Sequence, residues 1–419
     1  MKFFQQILVA TASFGLISPI ASQASEVINI EGMNDYSRSK KSSSKRFDNN
    51  TFVNDPSATL KASVDDLNVQ KNNFEAGSFS DTTTMSGNAS FQVGAVDDVG
   101  GDETQALTST YSYSLDLNSS FTGDDNLYVG IETGNAGSVK FQTDSSVSGS
   151  DTLSVHSIFY QFPIGNFDIA VGPKLDNDDL MPTTISTYSD SFFMGGYSLL
   201  DTNYWLYGYT GAGIAVSRNF DNGFNVSGSL IGTNSDSLLT EEGIDVITLS
   251  AGYDGDNYGG GLVYVDGDDY CGLINSYISS GCSTLGVSTL EVDVVGIGGY
   301  WSPNQGKTTM SATTNIVTPN IKGVDIDSIS DFQIGVDHQL GDGVLSASWK
   351  ALTLYNVQSS TDLNSDTLGS YLEVYYTHPV NDSLDLTYGI AAADPETSSG
   401  DSFSLYEYTA IGAQATFKF

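Results

Sequence analysis

The side chains of this chain that could do chemistry are three histidines, two cysteines and a large surplus of aspartate, and their spacing argues against a reaction centre. His156, His338 and His378 stand far apart, each without a neighbouring nucleophile or a second ligand at metal spacing. The runs DNDD (Asp176 to Asp179) and DGDN (Asp254 to Asn257) hold carboxylates that could meet calcium, but neither matches an EF-hand loop and both read as turns. Glycine-rich aspartate segments such as GDNYGGG occur once each, without the fixed nonapeptide period of a calcium-binding β-roll. No catalytic residue, metal ligand or cofactor is therefore expected.

Cys271 and Cys282 lie in one Gly/Ser/Asp-rich stretch with no histidine nearby, which gives no support to a zinc site, and they are too far apart for a Cys-x-x-Cys redox pair. In an exported protein such a close pair suggests a disulfide that clips a loop.

What the aspartates can do without making bonds is set an electric field. Acidic residues number 51 against 15 Lys and Arg, a formal charge of −36, although charged residues are only 16% of the chain. Five of the bases cluster at Arg38, Lys40, Lys41, Lys45 and Arg46. A body so poor in bases excludes nucleic acid, whose phosphates need a basic surface.

The elements that must hold these charges show a period of two. Counting back from the C-terminus, Phe419, Phe417, Ala415, Ala413 and Ile411 form one face, and Lys418, Thr416, Gln414 and Gly412 the other. One face meets apolar material and the other water. The same alternation begins near Thr82, where Met85, Gly87, Ala89, Phe91 and Val93 oppose Ser86, Asn88, Ser90 and Gln92, and about sixteen strands can be drawn in all. Their length reaches the roughly 9 to 11 residues that a tilted strand needs to cross a bilayer.

Short links rich in Gly, Asp, Asn and Pro, at 163–166, 219–223, 254–257, 302–306, 340–343 and 379–383, alternate with longer loops around Asp144, Asp179, Asp236, Cys271, Val324, Asp362 and Gly400. An antiparallel barrel with tight turns at one rim and long loops at the other predicts that alternation. The expected fold is an all-β membrane barrel of about sixteen antiparallel transmembrane strands over residues 78–419, with both ends in the periplasm.

Parity along these strands turns Asp116, Glu132, Asp168, Asp337, Glu373 and Asp385 inward, with Lys350 and Lys418 as the clearest inward bases. The longest connection, Pro173 to Tyr204, follows the fifth strand and carries Phe192, Phe193, Tyr197 and Leu199, too aromatic for a solvated tip. Its apolar side chains require burial, either inside the barrel, over the rim or against a neighbouring subunit. The constriction and lumen candidates are Lys174, Asp176, Asp178, Asp179, Asp190, Arg218, Asp337, Lys350 and Glu373.

Ahead of the barrel, residues 1–24 read as a signal peptide, with Lys2, an apolar run from Ile7 to about Ala21, and small residues before the cut. Residues 25–57 read as a polar periplasmic tail whose basic cluster, Arg38 to Arg46, either contacts anionic cell-wall polymer or is a solvated linker. Leu60, Val64, Leu67, Lys71 and Phe74 make a helical stripe over 58–77, a coiled coil too short to stand alone.

The run from Leu60 to Asp97, with Phe74, Glu75, Ala76, Gly77, Phe79, Ser80, Thr82 and Thr83 at the junction, resembles cyanobacterial outer-membrane porins, where a coiled coil enters a barrel through a Phe-Glu-Ala-Gly-x-Phe-Ser-x-Thr-Thr segment. The terminal Phe419 is similar to the assembly signal of bacterial outer-membrane barrels. These porins are grouped with the carbohydrate-selective OprB-like family. The resemblance implies a homotrimeric sixteen-strand channel in outer-membrane lipid, not an enzyme, passing ions and small polar solutes such as carbohydrates through a lumen narrowed by its third outside loop. Their usual surface-layer-homology domain is replaced here by the basic tail. The competing reading is a structural or adhesive barrel that tethers the envelope.

A disulfide between Cys271 and Cys282, in the fifth outside loop, is expected to contribute roughly 3 kcal/mol in the chain-entropy model. Mass measurement on protein from intact cells should find both thiols oxidised, and two free thiols would refute the pairing.

Overall fold

Along the first strand, β1 (Thr83–Asp98), Ser90 and Gln92 are buried while Phe91 between them is 52% exposed. The polar residues of this chain thus face inward and the large apolar ones outward, the inverse of a soluble sheet protein. The computed structural model describes residues 82–98, 107–135, 152–188, 209–232, 245–267, 291–304, 306–320, 325–358, 362–363, 366–395 and 408–419. The signal peptide, basic tail and coiled coil expected from the sequence lie outside these residues.

After β1 come β2 (Leu107–Ser119), β3 (Asn126–Gly134), β4 (Ser154–Ile164), β5 (Phe167–Asp176), β6 (Thr210–Asn219), β7 (Phe224–Gly232), β8 (Asp245–Asp254) and β9 (Tyr258–Gly267). The second half holds β10 (Glu291–Trp301), β11 (Thr308–Asn320), β12 (Asp325–Leu340), β13 (Gly343–Gln358), β14 (Asp362–Leu363), β15 (Asp366–Asn381), β16 (Leu384–Pro395) and β17 (Tyr408–Lys418). Every neighbouring pair is antiparallel, and β14 is a two-residue pairing on the end of β13, so sixteen strands build the wall.

The wall closes because β1 pairs with both β2 and β17. The closure extends to the last residue: Gly87 N donates to the Phe419 carbonyl at 2.9 Å and Phe419 N donates to the Gly87 carbonyl at 3.1 Å. A Cβ at position 87 would come closer than 3.0 Å to the Phe419 ring, so glycine leaves the room that ring fills. The ring also stacks on Tyr113 of β2, with centroids 5.8 Å apart, and Phe417 meets Phe91 edge-on at 5.7 Å. On the inner face beside the seam, Lys418 Nζ of β17 lies 2.6 Å from Asp385 Oδ2 of β16.

The two rims differ. One carries tight turns, where Gly165 and Gly341 adopt φ of 63° between paired strands, a backbone that favours glycine. In the turn joining β2 to β3, burial works against the Asp125 carboxylate, but donors from Tyr160, Thr122 and Ser120 hold its pKa well below the usual range. Tyr160 OH reaches Oδ2 at 2.6 Å, and Thr122 N reaches Oδ1 at 2.7 Å. The other rim carries the connections 99–106, 135–153, 177–209, 233–244, 268–290, 359–365 and 396–407. One expected long loop is shorter: β11 runs to Asn320 and β12 begins at Asp325, so only four residues join them around Val324.

Outward, Leu249, Leu262, Ile297, Phe332, Trp349 and Ile390, on β8, β9, β10, β12, β13 and β16, are exposed, an apolar belt of the kind a hydrocarbon layer covers. No helix among the described residues is long and apolar enough to cross a membrane.

Removing the Phe419 ring deletes a stacked pair worth about 0.5–1.5 kcal/mol and uncovers Gly87. Phe419→Ala should lower the temperature at which the folded band converts to the unfolded one on gels, and Phe419→Tyr should restore it. An unchanged midpoint in Phe419→Ala would contradict this account of the seam.

Candidate functional site

The inner face is polar and built by register. Asp116 sits opposite Ser86 and Gly130, in line with buried Ser112 and Thr110 on its own strand, and accepts a hydrogen bond from Tyr128 OH at 2.5 Å. Glu132 faces His156, with Oε2 3.8 Å from Nδ1. Asp168 of β5 is paired with buried Ser217. Across the lumen Asp337 accepts from Ser346 Oγ at 2.5 Å, and Glu373, Lys350 and Asp385 share the parity of buried Ser348 and Thr387. An inward acid that patterning did not single out is Asp331, 3% exposed and bonded by Asn315 Nδ2 at 3.1 Å.

Residues 177–188 leave β5 and run along the inside of this wall. At the root, Leu180 joins Tyr128, Phe159, Ala170, Leu175, Ala215 and Ile231 in a small apolar cluster within the barrel. Asn177 Nδ2 donates to Thr248 Oγ1 at 2.9 Å, and its carbonyl accepts from Ser229 Oγ at 2.7 Å, which ties the segment to β7 and β8. Thr183 Oγ1 donates to Asn225 Oδ1 at 2.7 Å and lies 2.7 Å from Ser250 Oγ. Thr187 N donates to Ser311 Oγ on β11 at 3.2 Å. Tyr188 OH then donates to Glu373 Oε1 on β15 at 2.7 Å, while Tyr371 OH reaches Oε2 at 3.4 Å.

The segment lies close to the wall because the wall has no side chains beneath it. Gly252, Gly261 and Gly298 are cross-strand neighbours on β8, β9 and β10, and all three point inward. A Cβ at Gly252 or Gly261 would come closer than 3.0 Å to Thr183 Cγ2, and one at Gly298 equally close to the Ile185 carbonyl. On β12, a Cβ at Gly335 would strike the Tyr188 ring. These glycines form a track, and the signal for it in the sequence is glycine at inward positions of strands that otherwise carry Ser, Thr and Val there.

The expected site residues divide. Asp176, Asp178 and Asp179 stand at the root of the inner segment: Asp179 Oδ2 accepts from Asp176 N at 2.8 Å, and Met181 N bonds the Asp178 carbonyl at 2.9 Å. Thr210 Oγ1 donates to Asp176 Oδ1 at 2.5 Å. Asp337, Lys350 and Glu373 line the opposite wall, and Lys350 and Glu373 are almost wholly buried. Lys174 and Arg218 are not brought to the lumen. Lys174 pairs with outward Ile158, is exposed, and donates from Nζ to the Val155 carbonyl at 2.6 Å. Arg218 pairs with outward Val226 and packs between two aromatic rings of the outer face. Asp190, Cys271, Cys282 and the aromatic run Phe192 to Leu199 lie outside the described residues. Among the described residues no group of three His, Cys, Asp or Glu side chains is placed to hold a metal ion.

This architecture has close counterparts among solved structures. The chain is similar to an anion-selective porin from Comamonas acidovorans, at 14% identity and a TM-score of 0.58, over 81% of this chain and 99% of that one. It is also similar to the trimer form of OmpT, an outer-membrane protein of Vibrio cholerae, at 11% identity and a TM-score of 0.57, over 81% and 99%. OprB of Pseudomonas putida gives 11% identity and a TM-score of 0.55, over 81% and 94%. At such identities what is shared is the fold, a closed barrel of the outer-membrane porin kind. No family model matches the chain, and no curated protein matches it in sequence.

A side chain at Gly298 cannot coexist with the Ile185 carbonyl where it lies. Gly298→Val should therefore lift residues 177–188 from the wall, so that limited proteolysis cuts within them while the circular dichroism of the barrel is unchanged. Tyr188→Phe removes a hydrogen bond to a buried carboxylate, worth about 1.5–3 kcal/mol, and should show the same cleavage more weakly. Resistance equal to wild type in Gly298→Val would refute the track.

Proposed function

We propose that this chain is an outer-membrane porin through which ions and small polar solutes, carbohydrates among them, diffuse passively down a water-filled lumen. The observation that carries the reading is an inner face rich in carboxylates, hydroxyls and amides, broken by a buried valine patch on β8 to β10, inside an outer belt of exposed apolar side chains. Such a wall has lipid for its outer solvent and water for its inner one. In this reading the loop rim faces outside, and the turn rim shares the periplasm with the basic tail and coiled coil.

The segment that follows β5 is the third outside loop and narrows the channel, with Asp176, Asp178, Asp179 and Asp190 on its side and Asp337, Lys350 and Glu373 across from it. A trimer is supported by the trimeric form of a structural neighbour and by the likeness of Leu60 to Asp97 to cyanobacterial OprB-like porins. Contact of Arg38, Lys40, Lys41, Lys45 and Arg46 with anionic wall polymer would complete the assembly.

The charge on the lumen favours cations. Asp116, Glu132, Asp168, Asp331, Asp337, Glu373 and Asp385 point inward; among the described residues Lys174 and Arg218 are turned outward, and the bases on the inner side are Lys350, Lys418, which is paired with Asp385, and Lys307 in the turn beside Asp337. A low-dielectric wall focuses that negative field and enriches cations. Extensive burial on β12, β13 and β15, where Gln333, Ser348, Lys350 and Glu373 are under 3% exposed, favours the second reading, a plugged structural or adhesive barrel.

Planar-bilayer recording separates the two. The porin reading expects unit conductance with mild cation preference in a dilute salt gradient, fading near 1 M, where the screening length is only about 3 Å. Anion preference would overturn the charge argument, and absence of unit conductance would establish the plugged barrel instead.

A further inference from the structure

On the outer face of the turn rim one charge stands among apolar neighbours. Arg218, near the end of β6, pairs across to Val226, and its row on β6 carries Val216 and Ile214. Its Cζ lies 5.2 Å from the ring centroid of Phe167 and 4.5 Å from that of Phe220. Among the described residues its Nε is buried and has no hydrogen-bond partner, and neither the His156–Glu132 contact nor the Lys418–Asp385 ion pair involves it. The other outward base on the described wall, Lys174, lies at the opposite rim and is satisfied by a backbone carbonyl.

A guanidinium held in an apolar belt is costly unless something anionic reaches it. Two aromatic faces fix its plane but supply no acceptor for its N–H groups. At the boundary of hydrocarbon and water the group that supplies acceptors is a phosphate, which a planar guanidinium binds in two-pronged fashion. The surroundings select a lipid over a free ion: Ile164, Phe167, Phe224 and Val226 are exposed around Arg218 and offer acyl chains an apolar floor.

We propose that Arg218, clamped between Phe167 and Phe220, holds the phosphate of a membrane phospholipid at the turn rim. The inference goes beyond the channel reading and rests only on the wall standing in lipid. It gives the barrel a lipid bound at a fixed position, with the head group on Arg218 and the chains along the outer faces of β4 to β7.

The test uses the full chain in nonionic detergent, with bound lipid counted by native mass spectrometry. The probes are dioleoyl phosphatidylglycerol, an uncharged diacyl glycolipid with the same chains, and inorganic phosphate. Wild type should hold one phosphatidylglycerol per chain about ten- to a hundred-fold more tightly than Arg218→Gln, with Arg218→Lys in between. The glycolipid should not distinguish the variants, and inorganic phosphate should not displace the lipid. Equal phosphatidylglycerol binding by wild type and Arg218→Gln would overturn the proposal, as would displacement by inorganic phosphate, which would mark a free-anion site. Loss of oligomer in Arg218→Gln with unchanged lipid counts would assign the residue to a subunit contact instead. Should Arg218→Gln fail to fold, Phe220→Leu, which loosens the clamp and keeps the charge, must weaken binding relative to wild type. Conductance read on the same samples keeps the two questions apart, because a silent barrel that binds the lipid refutes only the channel.

Discussion

A peptide group facing hydrocarbon has no water to bond, so each strand edge must find another strand, and every other feature of this molecule follows from that requirement. The edge of β1 left over after β2 is taken up by β17, and the pairing continues until Phe419 exchanges both backbone hydrogen bonds with Gly87. The aromatic ring of Phe419 fills the room that this glycine leaves beside the last pair. Once the backbone is closed, side chains are free to sort by solvent alone. That is why Ser90 and Gln92 can be buried in the same strand that exposes Phe91.

Closure also creates an interior, and the chain uses part of it. The inner segment is held by scattered single bonds from Asn177, Thr183, Thr187 and Tyr188, each modest in water but stronger where few waters compete. Glycines at 252, 261 and 298 bring it within reach of those partners. Larger residues there would have kept the segment nearer the axis, out of reach of Ser250 and Asn225. The wall's composition therefore positions the loop as much as the loop's own sequence does.

Much of this was legible before any coordinates. The period of two in Ile411 to Phe419 gives the closing strand, and parity turns Asp116, Asp168, Glu373 and Asp385 to the side on which their registers place them. Lys174, expected beside the constriction loop, is turned outward for a physical reason. Inward positions on β5 are even through Gly172, but the register shifts between Gly172 and Leu175 and, on β4, between Ile158 and Tyr160, so a bulge carries Lys174 to the outside. For Arg218 the signal was present, since Ile214 and Val216 share its parity and are apolar; its position beside a turn hid that. The glycine track needed cross-strand register, which no single strand reveals.

The partners of the inner segment come from distant parts of the chain: Asn225 and Thr248 from the middle, Ser311 later, and Glu373 near the end. Tyr188 therefore cannot reach its final partner until β15 stands in the sheet. The run of bonds is whole only when strands from both halves of the chain share one wall. The inner segment is thus a strap tying parts of the cylinder that are remote in sequence, and its path across the bore depends on all of them together.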